Sequence, residues 1–150
     1  MKEATEKLNQ LVRKADQYFQ AVSPEALKAK PERAKWSKQE ILGHLIDSAI
    51  NNLQRFTEIE FGPKPFPIRR FAQRELVGAN HYQQADLGEI FELRRALNRR
   101  IATVMAGQTP DTLKYEILLD NSQLKTLEFL MRDYVRHLEH HLGQIFGEKE

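Results

Sequence analysis

The 150-residue sequence contains no cysteine. This absence excludes disulfides, thiol nucleophiles and thiolate metal sites, and it leaves the redox compartment open. The N-terminal residues, Met1 to Glu6, have no apolar core of the kind that a secretory signal needs, and no stretch approaches the roughly 20 apolar residues of a membrane span. We therefore predict a cytoplasmic protein with no membrane partner.

An excess of charge of one sign is also missing. The 23 lysines and arginines are nearly matched by 21 carboxylates, so the net charge is +2. The pI near 8.9 looks basic, but near neutrality a small excess of cations moves the pI a long way. Composition thus gives little support for a nucleic-acid partner. The length predicts one globular domain over residues 1–150.

Most of the sequence has helical periodicity, because apolar residues recur at spacings of three and four. Capping and stopping residues bound four segments: a Ser37–Glu40 capping box begins the second, and Gly107 follows the third. The long helices are predicted at residues 2–22, 37–61, 86–106 and 122–146. Four long helices on one chain predict an all-α four-helix bundle.

The connections are predicted from prolines and glycines. Residues 24–35 are expected to form an irregular link, and three prolines make residues 62–85 a long crossover between the second and third helices. Within the crossover we predict a short helix over Ile68–Val77, ended by Gly78. Residues 112–119 are predicted to include a short extended piece.

Three of the five histidines lie on the last helix. At about 100° per residue, His137 falls on the edge of the apolar stripe, His141 inside it, and His140 on the outer face. Histidines four residues apart are neighbours on a helix, about 6 Å apart along its axis, and can bind one ion through nitrogens at about 2.1 Å. His137 and His141 are therefore candidate metal ligands, whereas His140 is predicted to lie at the surface or beside the ligands.

A polar row runs beside the apolar stripe of the second helix, and it begins with the only histidine of that helix. The row consists of His44, Asp47, Ser48, Asn51, Arg55 and Glu58. His44 is near the start of its helix and His141 near the end of the last, so the two meet only if these helices are antiparallel. A simple up-down-up-down bundle would make them parallel. The long crossover therefore predicts an up-down-down-up order.

At these residues the sequence resembles the DinB-like (DinB/YfiT-like) superfamily of metalloenzymes, and the likeness extends in order over nearly the whole chain. It is strongest in the last helix and at the start of the second. The matching segments are Trp36–Ser48 with Asn51 and Arg55, Ala79–Tyr82 with Arg94–Asn98, and Asp133–Ile145.

The resemblance implies a left-handed up-down-down-up bundle with a three-histidine site for a divalent ion, zinc or nickel. By position, the family's ligands correspond to His44, His137 and His141. The resemblance does not imply one substrate, because the superfamily includes thiol-dependent S-transferases such as bacillithiol transferases, a maleylpyruvate isomerase branch and proteins with no assigned reaction.

Four further polar residues are candidates for the chemistry. Asp47 or Glu58 would transfer a proton, and Asn51 and Arg55 would contact the ligands or the substrate. The alternative for this row is a solvated helix face with an ordinary Asp47–Arg55 ion pair.

The remaining polar residues are expected to have simpler roles. Gln144 follows His141 by three residues and is expected to form a hydrogen bond near the site, whereas His81 is expected to be structural. Three arginine pairs are predicted to be exposed helix charge: Arg69-Arg70, Arg94-Arg95 and Arg99-Arg100.

Three neutral histidines leave an ion with an open coordination position, which is typical of catalytic sites. The first hypothesis is a metal-dependent enzyme acting on a small molecule, either a hydrolase or a transferase that uses a low-molecular-weight thiol. The second hypothesis is a metal- or ligand-binding stress-response protein without turnover. A homodimer formed through exposed apolar faces is a further option.

Overall fold

The long helices of the structure correspond to the four predicted ones. The computed structural model describes residues 1–148, so residues 149 and 150 of the predicted domain lie outside the described part. The helices are α1 (Lys2–Ala21), α2 (Pro24–Lys28), α3 (Lys38–Glu58), α4 (Gln73–Ala79), α5 (Leu87–Ala106) and α6 (Leu127–Phe146), and short 3-10 helices span Tyr82–Gln84 and Thr112–Lys114.

Side-chain caps fix the starts of α3, α5 and α6. The Ser37 hydroxyl accepts a hydrogen bond from the backbone N–H of Glu40 (3.1 Å), and the Glu40 carboxylate accepts one from the N–H of Ser37 (2.9 Å). The Asp86 side chain at the start of α5 and the Thr126 side chain at the start of α6 each accept one hydrogen bond from the N–H three residues later. These oxygens satisfy N–H groups that have no partner within the helix. The predicted starts of α3 and α5 are thus confirmed.

Contacts along α1 give the direction of α6. Lys7 forms an ion pair with Glu139 (2.6 Å), and further along both helices Tyr18 donates to the carbonyl of Ile145 (2.9 Å). Residue numbers rise together on the two helices, so α1 and α6 are parallel.

Contacts between helices also give the directions of α5 and α3. Asp16 of α1 forms an ion pair with Arg94 of α5, and Phe19 stacks on Phe91. Residue numbers rise along α1 as they fall along α5, so these two helices are antiparallel. α3 packs against α5, and its N-terminal part faces the C-terminal part of α6. The up-down-down-up bundle is confirmed.

A three-stranded sheet holds the crossover against the start of α6. Its strands are β1 (Phe66–Pro67), β2 (Glu116–Leu118) and β3 (Leu124–Thr126), in the order β1-β2-β3. β1 pairs with β2 in parallel and β2 with β3 antiparallel, and the side chain of Ile117 in the middle strand is fully buried. The extended piece predicted within residues 112–119 is confirmed as β2.

Four predicted boundaries were wrong. The link 24–35 contains α2, because Ser23 caps a helix that begins with Pro24. α6 begins at residue 127 and not at 122, because residues 124–126 pair with β2. The short helix spans Gln73–Ala79 instead of residues 68–77, since Ile68 donates its N–H to Leu118 beside the sheet. α3 ends at residue 58, one turn before the predicted end.

Buried apolar side chains from all four long helices form one hydrophobic cluster. Single-domain organisation stays a prediction, as does the homodimer. Within residues 1–148 no helix combines the length and the apolar character that a membrane crossing requires. The prediction of exposed helix charge is corrected at two of the three arginine pairs. Arg69 and Arg70 lie outside the helices, and Arg94 is only 1% exposed, because it lies inside the bundle beside the Asp16 carboxylate.

Candidate metal centre

Three histidines from two helices converge between α3 and α6. The Nε2 atoms of His44 and His137 lie 3.2 Å apart, and one ring nitrogen from each of His44, His137 and His141 lies within 4.8 Å of the others. His44 is 1% exposed, and His137 and His141 of α6 are half-buried. The antiparallel arrangement of the helices produces this convergence, since it places the start of α3 beside the end of α6.

The environment keeps these imidazoles neutral. Burial, and then the neighbouring histidines, lower the pKa of His44 to about 4. Burial lowers the pKa of His137 to about 4 as well, and it lowers the pKa of His141. A neutral imidazole has a free lone pair on one nitrogen, which is the form that binds metal.

The donor set fits a divalent ion. Two nitrogens each about 2.1 Å from a tetrahedral ion would be roughly 3.4 Å apart, close to the separation of the His44 and His137 Nε2 atoms. A set of imidazoles without thiolates suits zinc, nickel and similar ions. The three side chains could therefore hold such an ion.

Gln144 fixes the orientation of one imidazole. Its amide oxygen lies 2.8 Å from Nδ1 of His141, and its amide nitrogen lies 3.3 Å from a ring nitrogen of His140. An amide oxygen only accepts hydrogen bonds, so Nδ1 of His141 carries the proton and Nε2 keeps its lone pair. Gln144 thus lies beside the triad, and His140, which is exposed, lies behind it.

Two aromatic rings lie beside His44. The ring centroids of Trp36 and His44 are 5.3 Å apart, and those of Phe71 and His44 are 6.4 Å apart. Trp36 precedes the cap of α3, and Phe71 comes from the crossover. The crossover therefore supplies part of the wall of the site as well as reversing the chain.

A buried carboxylate, that of Asp47, lies one turn along α3 from His44. The Asp47 carboxylate accepts hydrogen bonds at Oδ1 from the Tyr82 hydroxyl (2.7 Å) and the Asn80 amide (3.0 Å). Its other oxygen, Oδ2, is buried with no hydrogen-bond partner among residues 1–148. Burial raises the pKa of this carboxyl, and the two hydrogen bonds oppose that rise.

Gly43 allows Tyr82 to reach Asp47. A Cβ at position 43 would lie 2.1–2.7 Å from three carbons of the tyrosine side chain, which is far inside van der Waals contact. The side-chain amide of Gln39 also holds this segment, because it donates to the carbonyl of Tyr82 (2.7 Å). Neither spacing nor periodicity predicted the Tyr82–Asp47 contact; the signal that could have found it is a glycine within a helix, which often marks a close approach.

The other candidates of the polar row separate from one another. Asn51 donates to the backbone of its own helix, and Arg55 extends over the ring of Phe71, so the alternative Asp47–Arg55 ion pair is not formed. Glu58 accepts a hydrogen bond from Gln54 (2.7 Å) and lies 14 residues after the first triad histidine, roughly 21 Å along the helix axis. Glu58 is thus too distant to serve as the proton-transfer group.

His81 lies apart from the triad. It occupies an exposed, left-handed position (φ 53°, ψ 37°) immediately before the 3-10 helix that contains Tyr82. The structure thus places it in the turn that brings Tyr82 to α3.

Comparisons with known proteins agree with this architecture. YfiT from Bacillus subtilis, described as a probable metal-dependent hydrolase with an unusual four-helix bundle topology, superposes with a TM-score of 0.86 at 21% identity, covering 98% of this chain and 84% of YfiT. A mycothiol-dependent maleylpyruvate isomerase superposes with a TM-score of 0.74 at 12% identity, covering 94% of this chain and 59% of the isomerase. The chain therefore spans little more than half of that isomerase, and at these identities the likeness shows the fold alone.

The sequence itself carries the family assignment. A search of proteins with curated functions returns no significant match. A family model described as the DinB superfamily matches residues 7–145, a span that contains the whole histidine triad and the crossover. The chain belongs to the DinB superfamily.

Proposed function

We propose that this protein is a metal-dependent enzyme in which His44, His137 and His141 bind one divalent ion, zinc or nickel. The observation that carries the proposal is the convergence of three ring nitrogens, two of them 3.2 Å apart, in surroundings that keep the imidazoles neutral. Burying three histidines around one point without a ligand costs solvation energy, and an ion offsets that cost.

The residues around the triad suit an open, catalytic position. An ion held by three histidines has at least one free coordination position, where it lowers the pKa of water toward 7 or binds a thiolate. Trp36 and Phe71 cover His44 and reduce the access of bulk water. Gln144 keeps His141 in the tautomer that presents Nε2.

We assign Asp47 as the proton-transfer group. Its Oδ2 atom is buried without a partner in the described residues, and burial raises the pKa of the carboxyl, so a proton resides there more readily than on an exposed aspartate. Tyr82 and Asn80 hold the other oxygen and so fix the carboxylate plane.

Two reaction classes are consistent with this site: hydrolysis, and transfer of a low-molecular-weight thiol to an electrophile. One structural relative, YfiT, is described as a probable metal-dependent hydrolase, and another is a mycothiol-dependent isomerase, so hydrolysis and the use of a small thiol each have some support. The absence of cysteine is consistent with a thiol that arrives as a cosubstrate.

Metal analysis tests the triad first. Elemental analysis of the purified, dialysed protein is expected to give one equivalent of a divalent ion, and His44→Ala, His137→Ala and His141→Ala are each expected to lose it. His140→Ala is the matched control, because this neighbouring histidine is exposed, and it is expected to retain the ion. Full retention by all three triad variants would contradict the proposal.

Turnover is tested with metal-loaded protein. One panel contains esters and amides, and the other pairs small thiols with electrophiles; rates are compared with those of His44→Ala. Asp47→Asn is expected to retain the ion while losing most of the activity and the acidic limb of its pH profile. An ion-loaded protein with no rate above the His44→Ala control in either panel would instead support a metal-binding protein without turnover.

A further inference from the structure

Arg55 occupies the same face of α3 as His44. The two residues are 11 positions apart, which on a helix amounts to about 20° of rotation, and helical side chains lean toward the N-terminus. The Arg55 side chain therefore extends along α3 in the direction of the triad.

A cavity joins Arg55 to the triad. This inner cavity of about 140 Å³ lies between α3, α6 and the crossover, and its lining includes Ser48, Arg55, Asp133 and His137. It shares five lining residues, including Arg55 and Phe71, with an outer cavity of about 350 Å³ that leads toward the sheet. A ligand that enters from the sheet side thus passes Arg55 on its way to His137.

Arg55 lacks a counterion. Within residues 1–148 no carboxylate lies within ion-pair distance of it, and Asp133, which lines the same cavity, forms its ion pair with Arg136 (2.5 Å). Burial lowers the pKa of Arg55, yet a guanidinium stays protonated at any physiological pH. A half-buried cation in a cavity favours an anion as its partner.

The guanidinium is held in place with donors to spare. Arg55 lies over the ring of Phe71 (5.6 Å from Cζ to the ring centroid), and it donates to the carbonyl of Arg69 and to the side chain of Asn52. These two bonds use two of the five N–H donors of the guanidinium. The remaining donors can form the paired hydrogen bonds that arginine makes with a carboxylate.

A second arginine lies over the other ring beside His44. Arg74, which is exposed, lies over the ring of Trp36 (5.9 Å), and the Trp36 ring in turn lies beside His44. An arginine therefore lies over each of the two rings beside His44, and both cations add positive potential on this side of the triad.

We propose that the substrate carries a carboxylate, which Arg55 binds while the reacting group of the substrate lies at the triad. This inference rests on the proposed metal site. Arg55 acts here as a specificity-determining residue, and it holds the substrate at a fixed distance from the ion.

Cobalt-loaded protein provides a test that does not need turnover. The near-ultraviolet thiolate-to-cobalt band reports the binding of three thiol acids, namely mercaptoacetate, 3-mercaptopropionate and 4-mercaptobutyrate. Each is titrated beside its own neutral amide, so that the span from the ion to Arg55 is measured and not assumed. For the chain length that fits, the acid is expected to bind about tenfold tighter than its amide, as a charge-assisted pair would give.

The variants separate this inference from the metal site. Arg55→Gln is expected to abolish the preference for the acid while leaving the amide affinity and the cobalt spectrum unchanged; Arg55→Lys is expected to retain part of it. Arg70→Gln is the matched control, because it removes the same charge from the outer cavity wall where Arg70 is paired with Asp120.

Three outcomes would overturn the inference. Acids and amides that bind equally at every length contradict it, as does a preference that survives in Arg55→Gln, and in both cases the metal site stands. A protein that binds no cobalt, or whose cobalt binds no thiol, contradicts the open metal site and the carboxylate site together.

Discussion

The bundle contains two buried polar clusters, and they differ in how far their groups satisfy one another. In the first, Arg94 of α5 pairs with Asp16 of α1, and Tyr134 of α6 donates to Asn98 of α5 (2.6 Å). Of these side chains only Nε of Arg94 is buried without a partner in the described residues. This cluster joins three helices and is nearly complete on its own.

The second cluster is incomplete. His44 Nδ1, His137 Nδ1 and Asp47 Oδ2 are buried without hydrogen-bond partners in residues 1–148, and nearby Arg55 lacks a counterion. Buried polar groups in native proteins are normally paired. This cluster leaves several of them unpaired and so fits the proposed ligand site, whereas the groups of the Arg94 cluster mostly pair with one another and contribute to stability.

Breaking the Arg94 cluster is expected to have the largest effect on stability. Asp16→Ala leaves the 1%-exposed Arg94 without its counterion, and removing one partner of a buried pair typically costs about 3–5 kcal/mol. Urea unfolding of the metal-free protein measures this loss, and the metal stoichiometry of the folded variant should not change. Glu139→Ala is the control, because its ion pair with Lys7 is half-exposed and is expected to contribute less than about 1 kcal/mol.

A smaller loss, confined to the incomplete cluster, is expected from Gly43→Ala. The new Cβ would lie as close as 2.1 Å to the ring of Tyr82, so the ring must move, and overpacking of this kind costs about 1–3 kcal/mol. The displaced hydroxyl no longer reaches Asp47. Unfolding curves measure the destabilisation, and a low-temperature activity assay of the folded fraction measures the effect on catalysis.

The chain offers a matched control for this substitution. Gly78 lies inside α4, and a methyl group added there would have no atom of another element within 4 Å, so Gly78→Ala is expected to be neutral or stabilising by up to about 1 kcal/mol. Equal stability of the Gly43 and Gly78 variants would show that the contact between Tyr82 and α3 is not tight.

Local sequence patterns were sufficient to predict the long helices and their order. The capping box at Ser37 and the cap at Asp86 depend on residues three positions apart, so local pattern located α3 and α5. The position of His44 within its helix, and of His141 within the last one, then required an antiparallel pair and hence the up-down-down-up order. The caps and the positions of the histidines are properties of single helices, and they were sufficient to predict this order.

Contacts between segments that are far apart in the sequence could not be predicted in the same way. Tyr82 reaches Asp47 because the turn at His81 and the amide of Gln39 place it there, and no periodicity records that placement. Arg94 is predicted to be exposed together with Arg95, but the rotation of α5 toward Asp16 decides which of the two is buried. Residues 124–126 are predicted as the start of the last helix, because the strand β2 with which they pair lies in another segment.

The smallest expected effect, at most about 1.4 kcal/mol per pH unit for one histidine, is a pH dependence of stability that belongs to the triad. The folded-state pKa of His44 and of His137 is about 4, against an ordinary value of 6.5, so the unfolded chain binds more protons between these limits. The free energy of unfolding of the metal-free protein should therefore fall as the pH is lowered from about 6.5 toward 4. Urea titrations at several pH values measure this slope in the wild type and in His44→Gln, where it should be shallower. Parallel slopes in the two proteins would show that the imidazoles are not held in their neutral form by the fold.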